Sequence, residues 1–175
     1  MASAGCGEWA RRADGADASR VGELWEAAAA ELRGQRGGAR LVDDVTPPAE
    51  LGGGADGGGA DGGGADGGGV VPPVGTEDRL VVVAGIDQVT LGFAAADIDR
   101  RGPAPQAVVR AVYVEAEARG VGLGEAMLRL VVAWAEAEGC AGVDAYALPG
   151  NRPAKAFFED IGFTARLLTM HRRLR

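Results

Sequence analysis

Hydrophobic positions recur along this chain at two spacings. From Ala18 to Arg33, residues Val21, Leu24, Trp25, Ala28 and Leu32 return every three or four positions, the period of a helix with one apolar face. Asp17 stands where its carboxylate would cap the first turn. A second helical pattern runs from about Gly124 to Glu138, with Leu128, Val131, Val132 and Ala135 on one face and Trp134 at its edge. A third, Pro153 to Asp160, begins with a proline, which suits a first turn because its missing N–H would have no partner there. The other apolar segments read as strands: Glu8 to Ala13, the Val-rich Ala107 to Val114 with its one charge at Arg110, Gly142 to Leu148, and Thr164 to Arg173. Leu80 to Ala84 and Val89 to Ala95, separated by Gly85-Ile86-Asp87-Gln88, read as a hairpin. The order strand, helix, hairpin, strand, helix, strand, helix, strand predicts a mixed α/β (α+β) fold in one domain over residues 8–175.

One stretch fits neither period. Gly52 to Gly69 reads GGGADGGGADGGGADGGG, a strict repeat of five that holds 12 of the 30 glycines. It has almost no side chain to bury against an ordering cost of about 1–2 kcal/mol per residue, so a mobile low-complexity loop inserted within the domain is expected at 52–69. Each doubling of loop length costs only about 0.6 kcal/mol in closure, which a fold tolerates.

A net charge of −7 disfavours nucleic acid and polybasic membrane binding. The longest apolar stretch, Met127 to Ala137, is interrupted by Arg129 and Glu136 and falls far short of the roughly 20 residues a membrane span needs. Met1 to Ala13 holds no apolar core of a signal peptide, so a cytoplasmic protein is expected. Two cysteines, Cys6 and Cys140, and one histidine, His171, make no cluster at metal spacing, so no metal site is expected.

The chemistry concentrates where the Val-rich strand runs into a glycine-rich turn that opens a helix, Val112-Tyr113-Val114-Glu115 through Arg119-Gly120-Val121-Gly122-Leu123-Gly124. Glycines there let main-chain N–H groups converge, and the helix N-terminus adds about half a positive charge, which together make a site for an anion such as a pyrophosphate. The dinucleotide spacing G-x-G-x-x-G fails because Glu125 stands where the third glycine belongs, and no G-x-x-x-x-G-K-[ST] occurs. What fits is R-x-x-G-x-G from Arg119 to Gly124. Further on, Asn151-Arg-Pro-Ala154-Lys-Ala-Phe157-Phe158-Glu159-Asp160-Ile-Gly162-Phe163 follows in order.

On these two motifs the chain resembles the GNAT family of acetyl-CoA-dependent N-acetyltransferases. Arg12 to Ala18 with its helix is similar to the family's opening, and Leu91-Gly92-Phe93 to its third strand, so the likeness covers nearly the whole chain except the Gly/Asp repeat. The resemblance implies a mixed, mostly antiparallel central sheet flanked by helices, with the strands at Ala107 to Val114 and Gly142 to Leu148 splayed apart around the pantetheine arm. It implies acetyl-CoA as acyl donor. Its cofactor contacts fall by position on Val112, Tyr113 and Val114 for the pantetheine amides, on Arg119, Gly120, Val121, Gly122, Leu123 and Gly124 for the pyrophosphate, and on Asn151 and Phe158 beside the cofactor. Arg119 has two readings, a phosphate contact or a brace for the turn.

Phe158 departs from the family, which often carries there a Tyr that protonates the leaving thiolate. The acid is then either solvent or Tyr146, which shares strand parity with Asp144. Asp144 and Glu115 are the candidate bases, since Ala107 to Val114 contains no carboxylate. The implied activity is direct attack of a neutral primary amine on the thioester in a ternary complex, the oxyanion held by a main-chain N–H near Val114. The alternative is an acyl-CoA-binding sensor or interaction module without turnover, which Phe158 favours. The acceptor is a small-molecule or protein amine, tilted toward cationic ones by the acidic chain, and the protein a monomer or homodimer. Shortening Gly52 to Gly69 to a brief linker is expected to leave the melting temperature and coenzyme A affinity nearly unchanged; a loss of several degrees in a thermal melt would show that the repeat packs.

Overall fold

The computed structural model describes residues 7–43 and 78–172; the Gly/Asp repeat at 52–69, Cys6 and the last residue of the expected final strand, Arg173, lie outside them. A five-stranded sheet forms from β1 (Glu8–Arg12), β2 (Arg79–Ile86), β3 (Val89–Asp99), β4 (Gln106–Val114) and β5 (Val143–Ala145), ordered in space as in the chain. The first four strands pair antiparallel and β5 joins β4 parallel, so the sheet is mixed and mostly antiparallel as expected. The β2–β3 hairpin is tighter than its sequence suggests: both strands continue to a two-residue turn, Asp87-Gln88, where Asp87 takes the left-handed conformation at φ 54° and its carbonyl accepts from Trp9 Nε1 at 2.8 Å.

Alternation along the central strands sends apolar side chains to both faces, and helices cover each. α1 (Ala18–Arg33) lays Val21, Leu24, Trp25, Ala28 and Ala29 on Val81, Val83, Phe93 and Ala95, with Trp25 edge-on to Phe93 at 6.5 Å. The short α2 (Gly38–Asp43) adds Val42 to this layer. On the other face α3 (Leu123–Ala137) buries Leu123, Met127, Leu128 and Val131, and α4 (Arg152–Asp160) buries Phe158, against Leu80, Val82, Ala84, Ala94, Ala96 and Val109. α1, α3 and α4 fall where the sequence places helices, whereas α2 was not expected.

Three expectations need correction. Asp17 does not cap α1. A 3-10 turn at Gly15–Asp17 precedes the helix, and Asp14 caps that turn by accepting from Ala16 N–H at 2.8 Å. Asp17 is instead buried as an ion-pair centre: Arg11 donates to both its oxygens at 2.7 and 2.8 Å, and Asp14 N–H donates to it at 2.9 Å. Second, β5 covers only Val143–Ala145 of Gly142 to Leu148: its pairing with β4 ends at Val109 and Ala145, and residues 146–148 join no ladder. Third, Thr164 to Arg172 forms no strand; Leu167 and Leu168 would point to opposite sides of an extended chain, and both are exposed, Leu167 at 88%.

The Arg11 hydrogen bonds hold the Asp17 carboxyl below its ordinary value, with the Asp14 N–H acting in the same direction. A lowered native value means the stabilisation is complete above the unfolded value of about 4 and is lost as pH falls through the native one. Asp17→Asn is therefore expected to cost on the order of 1–3 kcal/mol at neutral pH. Urea melts of the two proteins should begin to converge as pH falls below about 4 and coincide only below the lowered native value.

Candidate functional site

The site is organised by what β4 does between its two neighbours. Against β3 it pairs along its length, but the register shifts so that Ala95 faces Ala111 and Ala96 faces Val109, leaving Arg110 as the extra residue of a β-bulge. Against β5 only Ala107, Val108 and Val109 pair. The bulge also switches which side the main chain serves. Ala107 N–H bonds to Gly142 on the β5 side at 3.0 Å, whereas Glu115 N–H bonds to Leu91 on the β3 side at 2.9 Å. Since successive strand residues turn their N–H and C=O groups to opposite sides, Val112 and Val114 direct theirs to the β5 side, beyond the point where β5 has ended. Tyr113 directs its own toward β3 and sets its ring against the α1 layer.

The strand then delivers the chain to an exposed turn. Gly120 and Gly122 have φ of 83° and 91°, a region costly for any residue with a Cβ, and Gly122 is the residue from which α3 starts. Leu123 anchors the turn in the core, and Val121 stands exposed. Gly124 serves packing: a Cβ there would lie 3.0 Å from the Phe157 ring, so the glycine lets α4 close on the first turn of α3. Arg119 braces the turn. Its Nε donates to the Val114 carbonyl at 2.9 Å, its Nη2 donates to Glu31 at 2.6 Å, and its guanidinium lies 5.6 Å from the centre of the Tyr113 ring. The hydrogen bond to Glu31 raises its already high pKa. The Glu8 carboxylate, from β1, is 3.7 Å from where a Cβ on Gly122 would sit.

Asn151 and Phe158 have structural duties. Asn151 Oδ1 accepts from Ala154 N–H at 3.0 Å and so caps α4, while its Nδ2 donates to Gln35 at 2.9 Å and ties that helix to the α1–α2 connection. Phe158, 7% exposed, packs between Phe157 and Phe163 at ring distances of 5.3 and 5.4 Å. On the outer side of α4, Lys155 is paired with Glu159 at 2.5 Å.

Of the three residues expected to handle protons, two are engaged elsewhere. Glu115 accepts from Arg20 at 2.8 Å, and Arg20 also reaches the Thr90 carbonyl at 3.0 Å, locking α1 to the end of β4. Asp144 accepts from Arg166 at 3.0 Å. Tyr146 is 52% exposed and makes no hydrogen bond to a described residue. It is the first residue past the last paired position, Val109 with Ala145, just as Arg110 is on β4. Sequence reading passed over two further charges beside this fork, Arg79 on β2 and Asp97 on β3. These pair in register with side chains 1% and 5% exposed, and Arg110 Nε donates to Asp97 at 3.0 Å. The available signal was a charged residue in each of three apolar strands: Arg79 at the start of β2, Asp97 near the end of β3 and Arg110 in the middle of β4. Among the described residues, no group of His, Cys, Asp and Glu is placed to hold a metal, and no helix is long and apolar enough to cross a membrane.

The sequence profile described as "Acetyltransferase (GNAT) family" matches residues 73–163, just over half of the chain. The fold is similar to that of the aminoglycoside acetyltransferase AAC(6')-Iy bound to a bisubstrate analogue, at a TM-score of 0.63 and 15% identity over 97% of this chain and 99% of that one. It is similar too to a putative acetyl transferase from Pyrococcus furiosus, at 0.64 and 16% over 96% and 100%, and to a ribosomal-protein-alanine N-acetyltransferase from Brucella melitensis biovar Abortus 2308, at 0.61 and 14% over 97% and 100%. No curated protein sequence matches the chain. Replacing Gly122 with Val, which puts a branched side chain at φ 91° in the turn, is expected to remove coenzyme A binding in calorimetry while the far-ultraviolet circular dichroism stays native; unchanged affinity would refute the turn as the anion site.

Proposed function

The chain belongs to the GNAT family of acetyltransferases, and on that premise we propose that it transfers an acetyl group from acetyl-CoA to a primary amine by direct attack in a ternary complex. The observation that carries this reading is the continuous main-chain track: Val112 and Val114 facing an edge that β5 leaves open, followed within a few residues by the left-handed glycines at the N-terminus of α3. Acetyl-CoA, when bound, supplies the activated acetyl thioester. Gly120 through Gly124 offer its pyrophosphate main-chain N–H groups and the positive end of the α3 dipole, a local field that an overall charge of −7 does not cancel. Val112 offers the pantetheine amides the partners that β5 would otherwise have used, and the Val114 N–H, whose carbonyl Arg119 already holds, is the donor for the thioester oxygen. Arg119, by occupying the Val114 carbonyl and Glu31, keeps strand and turn in one geometry rather than contacting phosphate.

In the transfer the amine nitrogen forms the new bond to the carbonyl carbon as the carbon–sulfur bond breaks; the amine gives up a proton and the thiolate takes one. Fixed orientation of the reactants is worth up to about 7–11 kcal/mol in an ideal geometry, which makes alignment by this track the principal contribution and proton transfer a smaller one. Tyr146 is the acid this reading assigns, because its hydroxyl stands half exposed at the fork while Phe158 has none. Glu115 and Asp144, each held by an arginine, act in positioning rather than as free bases. A binding module without turnover is the second reading, favoured by Phe158 alone.

Acetyl-CoA mixed with the protein and a panel of amines should release free thiol. Tight binding with no thiol released from any amine would replace the enzyme by the sensor. Tyr146→Phe is expected to lower kcat roughly 10²-fold, within the usual range for general acid catalysis, with coenzyme A affinity retained; an unaltered kcat would assign the proton to solvent.

A further inference from the structure

The two faces of the fork between β4 and β5 differ in chemistry. Val109, Val143 and Ala145 pack with α3 and α4 on one face, whereas Asp97 follows Phe93 and Ala95 on the face covered by α1. Arg110, bonded to Asp97, therefore lies on that second face, at the point where the strands part. Its Nε is held at 3.0 Å by a carboxylate that is itself buried and shared with Arg79, whose Nε is 3.4 Å from the other oxygen. The Arg110 side chain keeps 22% of its surface exposed, and its two Nη groups make no hydrogen bond to a described residue. A buried ion pair gains little over apolar residues of the same volume, so stability alone is a weak reason for this one. What it does provide is a guanidinium fixed in orientation with its double-donor edge open.

We propose that Arg110 receives a carboxylate on the acceptor, so that the substrates are small amines carrying a carboxyl group. This rests on the acetyl transfer proposed above and names its substrate class. A coenzyme threaded through the fork from the α3 side leaves the thioester open from the other face, and an amine arriving there meets the Arg110 edge beside Tyr146. Planar bidentate pairing with a carboxylate is the interaction a fixed guanidinium makes best. The other carboxylates near the fork have their own partners, Asp144 in Arg166 at 3.0 Å and Asp99 in Arg101 at 2.6 Å, although the charge of Arg110 is also felt at Asp99. Local charge thus opposes the tilt toward cationic amines that the overall −7 suggests.

The test compares α-, β- and longer ω-amino acids with their carboxamides, and with neamine as a polycation, by thiol release from acetyl-CoA. At least one amino acid should exceed its carboxamide tenfold or more in kcat/KM, carried by KM. In Arg110→Gln that ratio should fall to about one, and in Arg110→Lys to an intermediate value. Coenzyme A calorimetry and thermal melts report whether each variant is folded; should the Gln variant fail to fold, the Lys variant alone must show the reduced ratio. Carboxamides or neamine turned over as well as the amino acids, or a preference that survives in Arg110→Gln, would overturn the assignment of Arg110 and leave the acetyltransferase reading intact. Thiol release from no amine at all would overturn both.

Discussion

β4 has to satisfy two neighbours whose demands cannot both be met along its length. It must stay in register with β3 to keep the sheet whole, and it must leave β5 early to expose main-chain groups. A single extra residue resolves the conflict. Inserting Arg110 between Val109 and Ala111 reverses the parity of the strand, so that Val109, Val112 and Val114 all pack on the α3 face although the first is odd-numbered and the others even. The same insertion sends the N–H and C=O groups of Val112 and Val114 toward the open edge. Core packing, the exposed ladder and the projection of Arg110 are three results of one slip in register.

α1, α3 and α4 were legible because their signal is local, while the six-residue α2 is too short to carry a period. Val21, Leu24, Trp25 and Ala28 announce α1 within two turns, and Gly120 and Gly122 announce their turn through a backbone geometry that few residues tolerate. What escaped sequence reading is relational. A bulge is a property of two strands, and nothing in the string around Arg110 marks it beyond a charge among valines. Glu115 looks like a free carboxylate until folding brings Arg20 to it from 95 positions away. Asp17 has the right residue type and position for a cap, yet it ends a 3-10 turn that leads into the helix, and Arg11 claims its oxygens. The stretch from Thr164 has strand-forming residues but pairs with no strand of the sheet, and propensity without a partner does not make a strand.

The electrostatics divide the same way between global and local. On the proposed reading, an acidic chain offers a polyanion a main-chain site, where peptide dipoles rather than side chains supply the positive potential. The arginine in the motif, Arg119, spends its donors on Val114 and Glu31 and sets geometry. Arg110, which lies outside every motif, is the one whose donors remain available at the fork.

Lys155 is the only lysine in the chain, and its ammonium is held by Glu159 one turn along α4. Every other cationic side chain apart from His171 is a guanidinium, which stays protonated under any condition the protein experiences and therefore has no lone pair to offer a thioester. A protein that concentrates an activated acyl group at its own surface is exposed to acylating itself wherever it carries a free amine. Here the use of arginine for nearly all of its positive charge leaves a single side-chain amine open to such self-modification, and that amine is ion-paired on the surface of α4.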